Sequence, residues 1–312
     1  MNIPKIAILL ATYNGEKWIT DQINSIFAQV NVKIDLFVCD DQSTDNTLNV
    51  IKLSKHTNCI KYIKHNNRRF NSGAQNFFYM INNINLLNYD YFGFSDQDDL
   101  WKENKLLEAI KLLKKKNCDY YSSSFKAFWQ DGNKLYINKI SKQKEFDYIF
   151  QSPGPGSTFL MTYNGFKNLK SFIEKNFNNL KKIISHDWFI YAFARSNNYN
   201  WVIDENPYLD YRQHNKNEIG VNKGFKSYLI RLNAILNGNY AFQILEIAKC
   251  LSLKNKIILY LRKPNLKNKF LLITNAFQCR RSFKECFIII IFFIFYNKNL
   301  AEKKLKTLFI ND

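Results

Sequence analysis

Short apolar runs alternate with segments of helical spacing through the amino-terminal third of this 312-residue chain. Such short runs suit buried strands. Strands are therefore predicted at Lys5 to Ala11, Ile34 to Cys39, Ile60 to Ile63 and Tyr91 to Phe94. The segments between them carry apolar residues on one helix face, as Ile19, Ile23 and Ile26 do. This alternation predicts an α/β fold with a mainly parallel sheet flanked by helices.

Polar or acidic clusters follow three of these predicted strands. They are Thr12, Tyr13 and Asn14 after the first strand, Asp40 and Asp41 after the second, and Asp96, Gln97, Asp98 and Asp99 after the fourth. In open α/β sheets, ligands bind beyond the carboxyl ends of the strands, which is where these clusters fall. A carboxylate such as Asp40 can accept hydrogen bonds from a ribose or a base there, and a helix N-cap is its plainer role.

The three carboxylates of Asp96, Asp98 and Asp99 stand within four residues and repel one another unless a cation lies among them. Hard divalent cations such as Mg²⁺ and Mn²⁺ prefer oxygen ligands of this kind and share their shell with phosphates and water. A solvated acidic turn at the start of the next helix explains the same spacing. The cluster therefore predicts a metal site, with the acidic turn as the alternative.

Three later segments carry residues suited to binding or catalysis. Asn71 to Asn76 opens a predicted helix, where Gly73 allows close backbone approach to phosphate or ribose. Asp187 can take a proton from an attacking hydroxyl, if it lies beside a cleft. Arg212 can pair with a phosphate, and a neutral His214 can ligate a metal. The plainer alternatives are a helix cap for Asn71 to Asn76, a helix N-terminal acid for Asp187, and a surface pair for Arg212 and His214.

The formal net charge of the chain is +19, and the lysines are densest in its carboxy-terminal part. A balance this basic favours polyanions, meaning nucleic acid, an anionic membrane surface or phosphorylated substrates. Charge alone does not separate these three partners. Several nucleotide and hydrolase motifs are absent from the sequence: a G-x-G-x-x-G after the first strand, a Walker A lysine motif and a G-x-S-x-G elbow. A dinucleotide-dependent dehydrogenase is therefore poorly supported.

Neither end of the chain predicts a segment that spans a membrane. The apolar run at Ile6 to Ala11 is too short for a signal peptide, and Phe287 to Tyr296 falls short of the roughly 20 residues a spanning helix needs. The second run predicts a buried helix or an interfacial membrane contact. The six cysteines lack the spacing of a zinc site, which is typical of reduced thiols in a cytoplasmic protein.

The pattern loosens from about Lys142 and changes again after Gly220. Beyond Gly220 the sequence is rich in lysine and mostly helical in its spacing. We therefore expect one domain over residues 1–220 and a helical, basic region over residues 221–312. That region is a candidate for association with an anionic membrane.

Taken in order, the clusters resemble glycosyltransferase family 2, whose members have the GT-A fold, a Rossmann-like nucleotide-binding sheet. The matching stretches are Ala7 to Gly15, Val38 to Asp45, Ser95 to Trp101, His186 to Trp188 and Tyr211 to His214, within roughly residues 3 to 220. The last two stretches are similar to the bacterial rhamnosyltransferase-like branch of the family. The Q-x-x-R-W motif of processive members is missing, which implies an enzyme that adds one sugar at a time.

The resemblance implies where a nucleotide-sugar would bind. Thr12, Tyr13 and Asn14 would lie at the nucleotide, Asp40 would bind the base or the ribose, and Asp96 would sit by the ribose. The other residues expected to contact the nucleotide-sugar are Asn71, Gly73 and Arg212.

The resemblance also implies a metal-dependent reaction that inverts the anomeric centre. Asp98 would ligate Mn²⁺ or Mg²⁺, with His214 as a second ligand to the metal or the diphosphate. Asp187 would be the general base. The residues expected on the acceptor side are Trp101, Trp188 and Gly156, although core packing explains the two tryptophans equally well.

The expected function is transfer of a sugar from a UDP- or dTDP-linked donor to a hydroxyl of a cell-surface glycan precursor, such as lipopolysaccharide or capsule. The acceptor would be a glycan or a lipid-linked saccharide, and no nucleic acid is expected as a partner. The enzyme would be cytoplasmic or peripheral on the inner face of the cytoplasmic membrane. The alternatives are a nucleotidyltransferase and a non-catalytic polyanion-binding protein.

Overall fold

The structure is a computed structural model of the chain that describes residues 3–65, 69–70, 72–215, 217, 220 and 232–300. The predicted site residue Asn71 lies outside these described residues. The chain divides into two compact units. The first unit comprises Met1–Ile140, Pro153–Ile190 and Asn197–Gly220, and the second comprises Ser141–Ser152, Tyr191–Ser196 and Val221–Asp312. The boundary expected at residue 220 remains a prediction.

The strands of the first unit form two sheets. In chain order they are β1 (Lys5–Thr12), β2 (Lys33–Asp40), β3 (Ile60–Tyr62), β4 (Tyr91–Ser95), β5 (Leu100–Trp101), β6 (Tyr120–Ser123), β7 (Phe125–Trp129), β8 (Lys134–Ile137), β9 (Leu160–Thr162), β10 (Trp201–Asp204) and β11 (Leu209–Gln213). The larger sheet has the order β10-β6-β9-β4-β1-β2-β3. Only β9 pairs antiparallel with its neighbours there, among the residues described. The predicted mainly parallel α/β sheet is confirmed.

Helices follow most strands of the larger sheet. They are α1 (Ile19–Phe27), α2 (Thr47–Lys52), α3 (Gly73–Asn83), α4 (Lys105–Lys116), α5 (Tyr163–Asn176) and α6 (His186–Ser196). Each of α1, α3 and α4 buries an apolar stripe, as the periodicity predicts. α4 ends where Asn117 takes a left-handed conformation, with φ of 48°.

The register of β1 sets the geometry of the polar edge. Thr12 of β1 pairs with Asp40 of β2, and Leu10 of β1 pairs with Ser95 of β4. All three strands run parallel, so their carboxyl ends meet at one edge of the sheet. The three polar clusters of the sequence are therefore neighbours in space.

The other four strands of the first unit form a smaller sheet of order β5-β11-β7-β8. β5 follows the acidic cluster directly and pairs antiparallel with β11, through Leu100 with Asp210 and Trp101 with Leu209. This pairing carries the segment after Asp210 back toward the acidic cluster. The sequence does not predict it, because β5 has two residues and β11 lacks a clear apolar alternation.

The described part of the second unit is largely helical. Its helices include α7 (Asn239–Cys250), α8 (Lys256–Arg262), α9 (Leu266–Thr274), α10 (Ala276–Cys279) and α11 (Phe283–Phe295). Among the described residues, no helix is both long and apolar enough to cross a membrane. These helices account for most of residues 232–300, as the helical spacing of the sequence predicts.

A buried carboxylate holds the second unit together. Asp147 is fully buried and accepts hydrogen bonds from the Tyr191 hydroxyl at 2.9 Å and from Nη1 of Arg195 at 3.1 Å. Nε of Arg281 lies 3.5 Å from its second oxygen. Burial raises the pKa of Asp147, and the charges of Arg195 and Arg281 oppose that rise. The two arginines make ionisation of the buried acid tolerable.

Replacement of this carboxylate should destabilise the second unit strongly. Asp147→Ala leaves two largely buried guanidinium groups without their counter-charge, and breaking a buried pair in this way costs about 3–5 kcal/mol. Urea denaturation followed by circular dichroism measures the change. The matched control is Glu174→Ala, which removes a half-exposed partner of Lys170 and should cost under about 1 kcal/mol. Equal effects of the two variants would contradict this account.

Candidate active site

The loops after β1 and β2 are tied together by the Asp40 carboxylate. Its Oδ1 accepts hydrogen bonds from the hydroxyls of Thr12 at 2.8 Å and Ser43 at 2.6 Å. Its Oδ2 accepts from the Ser43 amide at 2.8 Å. Asp40 therefore fixes the turn after β2 and holds Thr12 beside it, while remaining only half-buried.

The loop after β1 is also fixed from both sides. Asn14 takes a left-handed conformation with φ of 48°, and its amide donates to the Ser43 hydroxyl at 2.9 Å. Tyr13 exchanges two backbone hydrogen bonds with the Gln97 side chain, at 2.8 and 2.9 Å. The Arg69 guanidinium lies 3.8 Å from the centre of the Tyr13 ring. The three strand-end loops thus form one connected polar edge.

Asp98 and His214 meet at the centre of this edge. Oδ2 of Asp98 lies 2.7 Å from Nε2 of His214, and the imidazole stacks on Trp18 with ring centres 3.9 Å apart. Asp98 is 8% exposed. Burial raises the pKa of the Asp98 carboxyl, and the hydrogen bond and charge of His214 oppose that rise. The stacking fixes the plane of the imidazole, so its Nε2 stays directed at the carboxylate.

Arg212 supports the acidic cluster through the chain's own backbone. Its Nε donates to the Asp98 carbonyl at 2.8 Å, and its amide donates to Oδ1 of Asp99 at 3.1 Å. Nη2 of Arg212 lies 3.3 Å from the exposed carboxylate of Asp21. The guanidinium therefore brings positive charge to the edge where a diphosphate would lie.

Asp99 and Lys105 form a buried region beneath the cluster. Asp99 is fully buried, and burial followed by the charges of Asp98 and Asp96 raises its pKa well above the usual range. Burial lowers the pKa of Lys105 to about 7, against the charge of Asp99. The Lys105 ammonium lies 3.5 Å from the centre of the Trp101 ring, and that ring is only 5% exposed. Trp101 therefore packs inside the protein.

Asp187 lies in the first turn of α6 and is held by one of its oxygens. Oδ1 accepts hydrogen bonds from the Ser185 hydroxyl and, at 2.7 Å, from the Trp188 amide. Among the described residues, both of these donors bond to Oδ1, which orients the carboxylate. Trp188 is 8% exposed, so its indole is mostly packed.

Tyr211 of β11 connects Asp187 to the acidic cluster. Burial raises the pKa of the Tyr211 phenol, and the charges of Asp96, Asp99, Asp98 and Asp187 raise it further. The four carboxylates whose charges raise this pKa come from both segments that were predicted separately, residues 96–99 and Asp187.

Gly156 lies against the residue that precedes Asp187. It is buried, and a Cβ atom added to it would lie 2.3 Å from Nε2 of His186. The His186 ring packs on Phe77, with ring centres 4.2 Å apart, and lies 6.0 Å from Phe94. Glycine at position 156 therefore leaves the space that His186 occupies.

The residues at the polar edge fit a divalent metal in part. Among the described residues, no group of three His, Cys, Asp or Glu side chains is arranged to hold a metal ion. Two donor atoms of the right chemistry do converge, Oδ2 of Asp98 and Nε2 of His214. Mg²⁺ commonly takes only one or two protein ligands and completes its shell with substrate phosphates and water. The pair fits a metal that arrives together with a diphosphate.

The structure brings most of the predicted residues together. Thr12, Tyr13, Asn14, Asp40, Asp96, Asp98, Arg212 and His214 share one polar edge, and the charge of Asp187 reaches the same Tyr211 hydroxyl. Gly73 is the first residue of α3. Sequence reasoning did not select Ser43, Gln97, Trp18 or Tyr211. Ser43, Gln97 and Tyr211 stand inside the matching sequence stretches, whereas the stacking of Trp18 on His214 depends on a contact distant in sequence.

Comparison with known proteins finds relatives of this chain among glycosyltransferases. The profile of Glycosyl transferase family 2 matches residues 7–195. The dTDP-rhamnosyl transferase RfbG of Shigella flexneri is 41% identical over 246 residues, which cover 78% of this chain and 84% of that protein. The Escherichia coli protein WfgD, a UDP-Glc:alpha-D-GlcNAc-diphosphoundecaprenol beta-1,3-glucosyltransferase, is 29% identical over 140 residues, covering 45% of this chain and 52% of WfgD.

Solved structures show the same fold. Residues 1–349 of S. aureus TarS, crystallised with UDP-GlcNAc, superpose with a TM-score of 0.52 at 16% identity, covering 97% of this chain and 92% of TarS 1–349. The fold and the polar edge define a GT-A glycosyltransferase. The chain belongs to glycosyltransferase family 2, as the match over more than half of its length shows. The expectation of a glycosyltransferase, and its similarity to rhamnosyltransferases, is therefore confirmed.

Crowding at Gly156 should disturb the neighbourhood of Asp187. Gly156→Ala puts a methyl group where Nε2 of His186 lies, and the displaced ring would move the start of α6. A misplacement of about 1 Å at a reacting group costs on the order of 100-fold in rate. Steady-state transfer assays should show kcat falling by about 10- to 100-fold.

The matched control for this variant is Gly154→Ala in the same loop. Its added Cβ would lie 3.4 Å from the nearest atom, the Ser123 carbonyl oxygen, which is close to ordinary contact. We expect it to keep kcat within about threefold of the wild type. Equal kcat values for Gly156→Ala and the wild type would show that His186 tolerates the methyl group.

Proposed function

We propose that this glycosyltransferase moves rhamnose from a dTDP-linked donor to a hydroxyl of a cell-surface glycan precursor, with inversion at the anomeric carbon. The donor is proposed from the 41% identity to a dTDP-rhamnosyl transferase that spans most of both chains. A UDP-linked hexose is the second candidate. It is favoured by the similarity to the UDP-Glc-dependent glucosyltransferase WfgD, whose match covers less than half of this chain.

One observation carries the proposed mechanism. The Asp98–His214 pair lies at the carboxyl edge of the sheet, and the charges of Asp98 and Asp187 both raise the pKa of the half-buried Tyr211 phenol. A sugar-phosphate bond lying between these two groups would have a metal-binding pair on its phosphate side and a base on its acceptor side. That order suits a displacement at the anomeric carbon.

The donor's nucleotide would bind along the strand-end loops. Thr12, Tyr13 and Asn14 come from the loop after β1, and Asp40 is held beside Thr12 by a 2.8 Å hydrogen bond. We propose that Asp40 and Asp96 accept hydrogen bonds from the base and ribose. Gly73 at the start of α3 and the Arg212 guanidinium would lie toward the phosphates. Asn71, which lies outside the described residues, is also proposed to contact the nucleotide-sugar.

Asp98 and His214 would hold Mn²⁺ or Mg²⁺. The metal, when bound, supplies positive charge that neutralises the departing nucleoside diphosphate. The pair's part is to hold two possible ligand atoms 2.7 Å apart, and the stacking of His214 on Trp18 fixes the plane of the imidazole. Arg212 adds a second positive charge at the same edge.

Asp187 would act as the general base. Its carboxylate takes the proton of the acceptor hydroxyl while the hydroxyl oxygen bonds to the anomeric carbon. The bond from that carbon to the phosphate oxygen breaks, and its electron pair leaves with the diphosphate. The hydrogen bonds from Ser185 and the Trp188 amide hold the carboxylate in position. Attack from the face opposite the diphosphate inverts the configuration.

The acceptor is proposed to be a glycan or lipid-linked saccharide in polysaccharide biosynthesis. The related WfgD transfers glucose to alpha-D-GlcNAc-diphosphoundecaprenol, a sugar on a lipid carrier. Gly156 and Trp188 lie next to His186 and Asp187, so the acceptor side is proposed there. The rings of Trp101 and Trp188 are only 5% and 8% exposed, so each would offer the acceptor an edge and not a face. An enzyme with a lipid-linked acceptor would work at the inner face of the cytoplasmic membrane.

Removing the base should separate binding from transfer. Asp187→Asn keeps the size of the side chain and loses its basicity, so transfer should fall by at least about 100- to 10,000-fold while donor affinity stays unchanged. Rates are measured with dTDP-rhamnose and compared with UDP-linked sugars, and donor binding is measured by calorimetry.

The matched control is Glu108→Gln, which neutralises another first-turn acid, on α4. It should transfer sugar at the wild-type rate. Wild-type turnover by Asp187→Asn would remove Asp187 from the mechanism. If the wild type transfers sugar from UDP-linked donors and not from dTDP-rhamnose, the proposed donor is wrong.

A further inference from the structure

α11 in the second unit exposes apolar side chains that nothing in the described structure covers. Phe283, Phe287, Ile291 and Phe295 recur every four residues and are 66%, 56%, 39% and 61% exposed. A spacing of four residues keeps them on one side of the helix. Cys286 and Ile289 and their neighbours on the other side are buried. The helix therefore has a packed inner side and an apolar outer side.

The exposed side chains form a continuous surface. The ring of Phe277, 48% exposed, lies 5.7 Å from that of Phe283, and the Phe283 ring lies 5.4 Å from that of Phe287. Ile294, at the other end of α11, is 48% exposed. We define the outer apolar face as Phe277, Phe283, Phe287, Ile291, Ile294 and Phe295. Contiguous exposed aromatics of this kind mark sites of interaction with a partner or a membrane.

Basic residues surround this face. Residues 251–300 contain ten lysines and arginines and one acidic residue, Glu285. Nζ of Lys269 donates a hydrogen bond to the Ile294 carbonyl at 3.0 Å, which fixes an ammonium group at the end of the face. Lys284 is exposed beside Phe283. The partner must therefore offer both an apolar interior and negative charge.

The charge and the helix length select among possible partners. A second copy of the chain would bring two strongly basic surfaces together, which opposes self-association through this face. α11 has 13 residues and is about 20 Å long, whereas the bilayer interior is about 30 Å thick. A helix lying in the plane of an anionic membrane satisfies both features, with phenylalanines among the acyl chains and lysines at the lipid phosphates.

We propose that the outer apolar face docks the enzyme onto the surface of an anionic lipid bilayer. The docking itself follows from the exposed side chains and the charge. Its use, bringing the active site to a lipid-linked acceptor, rests on the proposed function.

Co-sedimentation with lipid vesicles tests the docking. The 312-residue chain should bind vesicles of phosphatidylcholine and phosphatidylglycerol, and bind vesicles of phosphatidylcholine alone much more weakly. Phe283→Ser with Phe287→Ser should lower the partition coefficient by about 100-fold, because two apolar side chains no longer insert. The matched control is Leu53→Ser with Leu87→Ser, two highly exposed leucines of the first unit, which should bind like the wild type.

A second variant guards against simple unfolding of the serine variant. Phe287→Trp keeps an apolar ring, so it should bind vesicles like the wild type, and its added fluorescence should shift to shorter wavelength on binding. Unchanged vesicle binding by the serine variant would overturn the proposal. So would an unshifted tryptophan, or a wild-type dimer that the serine variant dissociates in sedimentation equilibrium.

The docking test and the function test fail separately. Vesicle binding is measured without any donor or acceptor, so its failure says nothing about transfer. Transfer to a water-soluble acceptor is measured without vesicles, and the serine variant should keep the wild-type rate in that assay. Loss of transfer by the wild-type protein there would instead count against the proposed function.

Discussion

The parallel pairing of β1 with β2 and β4 is the constraint on which the site depends. Because Thr12 pairs with Asp40 and Leu10 with Ser95, three strands end at one edge and release their polar loops together. The hydrogen bonds from Thr12 to Asp40 and between Tyr13 and Gln97 then join those loops. The sheet core is apolar and rigid, so the polar edge inherits a fixed geometry.

Buried acids are the electrostatic consequence of this arrangement. Asp98 and Asp99 are almost fully removed from water, and burying ionised carboxylates is costly unless they are paired. The chain compensates with groups delivered by β11: the His214 imidazole and the Arg212 amide and guanidinium. In the proposed function, a cation that arrives with the substrate would offset more of this acidic charge, which is the physical basis of the proposed metal dependence.

Much of the nucleotide side of the site could be predicted from local sequence, because strand, turn and helix patterns there are strong and close along the chain. The pairing of β5 with β11 could not, since Trp101 and Leu209 are joined across a hundred residues by a two-residue strand. The burial of Trp101 against Lys105 could not be predicted either, because a tryptophan after an acidic turn is compatible with stacking on a sugar and with packing in the core. Residues 141–152 belong to the second unit, where Asp147 forms ion pairs with Arg195 and Arg281. These partners are far apart in the sequence, so no short-range pattern predicts the pairs.

Calorimetric titration of dTDP, with and without Mn²⁺, tests the central claim that the Asp98–His214 pair binds a metal together with a nucleoside diphosphate. The account predicts that Mn²⁺ tightens dTDP binding to the wild type by at least about tenfold, and that Asp98→Ala abolishes this gain. Equal affinity of the wild type with and without Mn²⁺ would contradict it, as would a metal effect that survives in Asp98→Ala.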